Sequence, residues 1–318
     1  MTITNPIQIT IDAPSLTNNR LGDKLQREVL VYLPPSYQAS TTRHYPVIYL
    51  MHGFGGNANA WFSDEIPLHE IADSLIEQGK INEMIIVVPE NSTRQTCSAY
   101  LNSPIQGNWQ DFICHDLINA IEAKFRCQQG WENRAIIGHS SGGDAVLKTL
   151  FLSPNVFKHG FAMSAPNIKP TSLMELKEFY DAHFESLQQA SLGKLAIENL
   201  DIWAHILLNN LQITLPESNN PPLFCKFPLS GLDWQVLIKG THLGNYQRYG
   251  NNLSEVNLAF DVGLKEYFIQ DSHDLFELLQ TDGHKVKLIE FDGGHVDHIA
   301  KSMLYVLAFI SECFSAEY

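Results

Sequence analysis

The sequence predicts an α/β fold, a mostly parallel sheet with helices on both faces. Three observations predict it. Short, near-continuous apolar runs recur along the chain, as strands covered on both faces require. Segments of helical periodicity lie between them, and such alternation builds parallel sheets. At Gly138–Gly143 a glycine-rich turn carrying serines joins one of these runs directly to a helical pattern.

The expected strands follow in chain order. "REVLVYLPPSY", residues 27–37, is a strand closed by a Pro-Pro-Ser turn, and "YPVIYLMHGFGG", 45–56, is a β-rich run ending in glycines. "MIIVVPE" (84–90), "RAIIG" (134–138) and "HGFAMSA" (159–165) come next, then "NLAFDVG" (257–263) and "KVKLIEF" (285–291). From Asp111, set at or near a helix start, Ile113, Leu117, Ile121 and Phe125 form one apolar stripe. "GDAVLKTLFL" after Ser140 is a shorter helix, and "HIAKSMLYVLAFISECF" closes the chain as a largely buried one. The stretch from about 166 to 256 breaks the rhythm. It holds an amphipathic helix, "LMELKEFYDAHFESLQQA", a polar "LPESNNPPLF", and "WQVLIKG" (234–240), which reads as one more strand. The expected organisation is one domain over 1–318 with residues 166–256 inserted over the sheet.

The chain has 318 residues, 44% of them hydrophobic, and a formal charge of −14. That charge argues against a broad basic surface for nucleic acid or anionic lipid. No apolar run is long enough to span a membrane. The start, "MTITNPIQITIDAPS", does not read as a secretory signal. The cysteines number five, widely spaced and without a CxxC, so neither a disulfide framework nor a structural zinc site is expected. A cytoplasmic setting is the expectation.

Gly138-His139-Ser140-Ser141-Gly142 fits G-x-S-x-G in a strand-to-helix context. There the serine stands on a sharp turn, and glycines remove side chains that would clash. Its hydroxyl needs a base to take the proton. In the order serine, acid, histidine, the base is His295, which follows two glycines after the last strand. His298 is the weaker candidate. The carboxylates in and after the preceding strand are Asp261, Glu266, Asp271 and Asp274. Asp261 lies within the strand, Glu266 is in the right loop, and Asp271 is its main competitor. Developing negative charge needs N–H donors. Ser141 would supply one and Phe54, in the glycine turn 52–56, the other. That turn lacks the phosphate-loop pattern G-x-x-x-x-G-K-[ST].

Together "REVLVYLPPSY", "YPVIYLMHGFGG", "MIIVVPE", "GNWQDFICHDLINAIEAKF", "IIGHSSGGDA", "FDVG" and "FDGGH" make the chain resemble the putative-esterase branch of the α/β-hydrolases. That branch holds S-formylglutathione hydrolases (esterase D), feruloyl and enterochelin esterases and mycolyltransferases. The resemblance implies an α/β-hydrolase fold and a covalent acyl-enzyme. Ser140 would be the nucleophile, His295 the base, and Phe54 and Ser141 the oxyanion hole. The family acid follows the penultimate strand as G-x-x-D. Here Gly263-Leu264-Lys265-Glu266 carries glutamate instead, and Asp271 stays as the alternative acid. No metal or organic cofactor is implied, although "HVDH" (295–298) superficially suggests metal ligands. Trp61, Tyr100 and Trp109 are candidates for lining the substrate pocket, or else for the core. The insertion would set substrate size, with 242–252 as a segment to contact ligand. The expected function is a serine carboxylic-ester hydrolase for a small-molecule ester. Acyl transfer, a thioesterase and a non-catalytic scaffold are the alternatives.

Overall fold

The computed structural model describes residues 4–95, 97–166, 173–227, 230–240 and 242–316. In chain order the strands are β1 (Ile7–Asp12), β2 (Gln26–Tyr32), β3 (Val47–Met51), β4 (Ile85–Pro89), the two-residue pair β5 (Asn102–Ser103) and β6 (Gly107–Asn108), β7 (Arg134–His139), β8 (His159–Met163), β9 (Asn257–Gly263) and β10 (Val286–Phe291). Eight of them form one sheet in the order β1-β2-β4-β3-β7-β8-β9-β10. β2 runs antiparallel to β1 and β4, and every pairing from β4 to β10 is parallel. This order and direction is the α/β-hydrolase fold. Seven of the expected strands are in this sheet, and β1 is an addition to them. From Gln8 to Asp12 it alternates exposed and buried residues, as an edge strand with one covered face does.

The helices are α1 (Leu68–Glu77), α2 (Trp109–Asp111), α3 (Ile118–Lys124), α4 (Ser141–Leu152), α5 (Leu173–Ser191), α6 (Ile202–Thr214), α7 (Gly231–Lys239), α8 (His242–Tyr249), α9 (Ile269–Thr281) and α10 (Ile299–Ser315). Alternate residues of the sheet feed two cores. Val47, Tyr49 and Met51 pack with Ile113, Leu117 and Ile121, with α4 residues such as Val146 and Leu150, and with Leu275 and Leu279 of α9. Ile48 and Leu50 face α1 and α10, where Met303, Val306, Leu307 and Ile310 are buried. Each such aliphatic side chain contributes about 1.5–3 kcal/mol relative to exposure.

The expected stripe from Ile113 recurs every four residues, slightly longer than the 3.6 of an α-helix. The chain answers with a π-helical segment, Phe112–Leu117, between α2 and α3. That widening keeps Ile113, Leu117 and Ile121 fully buried on one side. Asp111 sits in the first turn, as expected, and its carboxylate accepts a hydrogen bond from Asn102.

The chain between β8 and β9 carries α5 to α8. Residues 167–172, 228–229 and 241 of the expected insertion lie outside the described residues. α5, α6 and α7 share a third apolar cluster containing Tyr180, Leu187, Leu208, Leu211 and Trp234. "WQVLIKG" is helix α7, not a strand. Ser230 and Asp233 form a capping box at its start, and Trp234 and Leu237, three apart, turn to the same cluster. Buried amides fasten α6 to the rest of the fold. Gln212 Nε2 donates to Gln95 Oε1 (2.8 Å) and to the Leu223 carbonyl (2.9 Å), while its Oε1 accepts from Gln106 (2.9 Å). Asn209 Nδ2 donates to the Cys97 carbonyl at 2.8 Å. Buried amides need such partners, so this seam fixes α6 against the segment 95–106. Among the described residues, no helix is long and apolar enough to cross a membrane.

Candidate active site

Ser140 stands between β7 and α4 with φ 57° and ψ −121°. A non-glycine residue held there stores on the order of 1–3 kcal/mol of strain. The surroundings enforce it. Ser140 N–H donates to the Met163 carbonyl (2.9 Å), and Asp144 N–H donates back to the Ser140 carbonyl (2.9 Å). The flanking glycines let neighbouring backbone approach. A Cβ on Gly138 would sit 2.4 Å from the Gly142 carbonyl oxygen, and one on Gly142 would sit 2.1 Å from that of Met51.

His295 follows β10 and returns over the sheet edge. Its Nε2 lies 2.8 Å from Ser140 Oγ and its Nδ1 lies 3.0 Å from Glu266 Oε1. The Glu266 side chain is 1% exposed, and its Oε2 accepts the Gly263 N–H at 3.1 Å. Of the four carboxylates the sequence offers, Glu266 is thus the one hydrogen-bonded to the His295 ring. Asp271 lies in the first turn of α9, and Asp274 accepts from Gln270. His298 stacks on Phe291 with ring centroids 4.6 Å apart, and Asp297 accepts the Gly294 N–H.

Asp261 is buried within β9, as its place in the strand implies. It accepts from Ser164 N–H (2.8 Å) and from Tyr305 Oη (2.6 Å), whose hydroxyl also meets Ser302. Burial pushes its carboxyl up to about 7, against the hydrogen bonds from Tyr305 and Ser164. A carboxyl raised in the folded state keeps a proton that the unfolded chain has already released. Its contribution to stability is therefore complete below about pH 4 and is lost as pH rises toward about 7. Urea midpoints should fall across that interval, and fall less in Asp261→Asn. Equal slopes in the two proteins would exclude Asp261 as the source.

The glycine turn after β3 runs beside the serine. A Cβ on Gly53 would be 3.3 Å from Ser140 Cβ. The turn is anchored from behind. His52 Nε2 lies 3.3 Å from Glu90 Oε1, and Tyr100 Oη donates to the His52 carbonyl at 2.6 Å. Burial opposes the charge on Glu90, yet hydrogen bonds from His52, Ser92 and Ala58 bring its carboxyl down to about 2.

Ser140, Ser141, Phe54, Glu266 and His295 open on a common cleft of about 600 Å³. Of the three aromatic candidates, Trp61 lines it. Tyr100 is 1% exposed, behind the glycine turn. Trp109 is wholly buried, with its indole N–H on the Gln106 carbonyl (3.0 Å) and its ring against Phe112. α8 packs on the α4 side of the core, where Tyr246 meets Phe151 and Asp282. No described side chain of 242–252 lines the cleft. The residues that sequence reasoning missed are Ile202, Trp203 and Ile206 of α6 and Tyr267, Phe268 and Val296 of the loops. Their one signal was an α6 sequence, "IWAHILLNNLQIT", with apolar residues all round. The cleft is mainly apolar. Its Lys265 pairs with Asp292 (3.0 Å), and its Asp144 pairs with buried Lys148 (2.7 Å). Chemically, the arrangement can move a proton from a hydroxyl to an imidazole beside a carbonyl held in an apolar cleft.

A serine on a strained strand-to-helix turn, over this sheet order, defines the serine-hydrolase class of the α/β-hydrolase fold. A family model described as Putative esterase matches residues 19–298, and the chain belongs to that family. It is 31% identical over 183 residues to Esterase Rv1288 of Mycobacterium tuberculosis, covering 55% of this chain and 36% of that one. The chain thus spans about a third of the length of that curated relative. Among solved structures, a ferulic acid esterase superposes with TM-score 0.70 at 18% identity, over 98% of this chain and 99% of that one. An S-formylglutathione hydrolase from Staphylococcus aureus gives 0.62 at 14% identity, over 97% and 99%. These two likenesses concern the fold.

Proposed function

We propose that the protein is a serine carboxylic-ester hydrolase acting through a covalent acyl-enzyme on a small or medium acyl ester. The observation that supports this best is the unbroken line from Ser140 Oγ through the His295 ring to Glu266, at 2.8 and 3.0 Å, opening into an apolar cleft. In this reading Ser140 Oγ attacks the acyl carbonyl carbon while His295 Nε2 takes its proton. Glu266 holds Nδ1–H toward itself and stabilises the charged ring. The N–H groups of Ser141 and Phe54 receive the oxyanion. His295 then protonates the leaving oxygen or sulfur as that bond breaks. Water, deprotonated by His295, releases the acid and restores Ser140. The reading includes a cytoplasmic setting, in keeping with five buried cysteines that form no disulfide.

A panel of p-nitrophenyl esters of increasing acyl length tests it. Turnover is expected to peak at short to medium chains and to vanish on prior reaction with a fluorophosphonate probe. Product analysis with added alcohol separates hydrolysis from acyl transfer. Turnover that survives full serine labelling would sink the proposal.

A further inference from the structure

The base is carried by a loop that is tied to the acid's loop at Gly293, whose carbonyl accepts the Lys265 N–H at 3.1 Å, and that is partly exposed from His295 on. Gly293 and Gly294 precede His295, whose side chain is 39% exposed, and Val296 after it is 70% exposed. The tie at Gly293 stops two residues short of the base, and proton transfer needs the ring held precisely. The anchor on the backbone of His295 comes from the other side of the site. His139 Nε2 lies 2.7 Å from the His295 carbonyl oxygen. We infer that His139 is a positioning residue, whose Nε2–H ties the base-bearing loop to the nucleophile's own strand and so sets the distance from His295 to Ser140. This rests on the esterase reading above.

His139 is suited to the task. It ends β7, is paired with Met163 of β8, and precedes Ser140 directly, so the tether leads into the elbow with no flexible residue between. It is 7% exposed, and its ring lies 5.0 Å from that of His295. Its Nδ1 edge faces the glycine turn, where a Cβ on Gly53 would sit 3.7 Å away. A carbonyl acceptor requires the proton on Nε2. Burial, aided by neighbouring His295, pushes His139 down to about 4. It is then neutral near pH 7 and does not oppose the charge that builds on His295 in the reaction.

The test compares kcat and KM of parent, Ser140→Ala, His139→Leu, His139→Gln and His139→Asn on one p-nitrophenyl ester, with thermal melts alongside. The Gln amide nitrogen reaches about where Nε2 lies, whereas Asn stops one methylene short. His139→Leu and His139→Asn should lose about 100-fold in kcat with KM within about threefold, and His139→Gln should recover to within about tenfold of the parent. A purely structural role would track the melts instead, and would not separate Gln from Asn. Equal rates for Gln and Asn would overturn the inference even if His139→Leu does not fold. A Ser140-dependent rate indifferent to His139→Leu would overturn the tether alone. Equal rates in parent and Ser140→Ala would overturn the esterase reading and the tether with it.

Discussion

Ser140→Ala is expected to lower kcat by about 10⁵-fold while leaving substrate binding nearly intact. The large effect has a simple cause. The substitution removes the one hydroxyl placed 2.8 Å from the His295 ring, and with it the covalent route. What remains is water attack helped by the donors of the cleft. Stability should change by less than about 1 kcal/mol, because alanine keeps the Cβ and the turn keeps its strained φ. Stopped assays with purified protein measure the rate, and a fluorophosphonate probe should label the parent once per chain and the variant not at all. A variant as fast as the parent would remove Ser140 from the chemistry.

The second large effect is expected at Glu266. Its Oε2 accepts the Gly263 N–H and its Oε1 faces His295 Nδ1. In Glu266→Gln the amide must keep its oxygen on Gly263 N–H, so its NH₂ turns toward Nδ1. His295 is then driven to the tautomer with its proton on Nε2, which cannot accept one from Ser140. The expected loss in kcat is about 10⁴-fold. Glu266→Asp keeps the charge but withdraws the oxygens by a methylene, and should cost about 100-fold. Asp271→Asn should stay within about twofold of the parent. If Asp271→Asn were the crippling change and Glu266→Gln mild, the acid would be misassigned. That result would also weaken the meaning of the Glu266 contact.

Much of this was legible along the chain because it is local. A strand covered on both faces must read as an apolar run, and β3, β4 and β7 do. A serine on a strained turn needs glycines where backbones meet, and Gly138 and Gly142 stand there. His295 was legible from its glycines and its place after the last strand. "WQVLIKG" misled because a short apolar run carries no period of its own. Its helical state is decided by the Ser230–Asp233 cap and by the third cluster beneath it.

The sequence by itself determined the class of fold, the serine turn and the histidine-bearing loop, since each depends on neighbours in the chain and on burial pattern. Only the tertiary structure decided the rest. Glu266 meets His295 because β9 and β10 lie side by side in register, from Val286 beside Leu258 to Phe291 beside Gly263. Tyr100 and Trp109 are buried outside the cleft lining while Trp61 and Trp203 line it, although all four are aromatic. His139 touches a carbonyl 156 residues away. Contacts of that span depend on how separate elements pack, and a side chain's type does not encode which neighbour packing will bring to it.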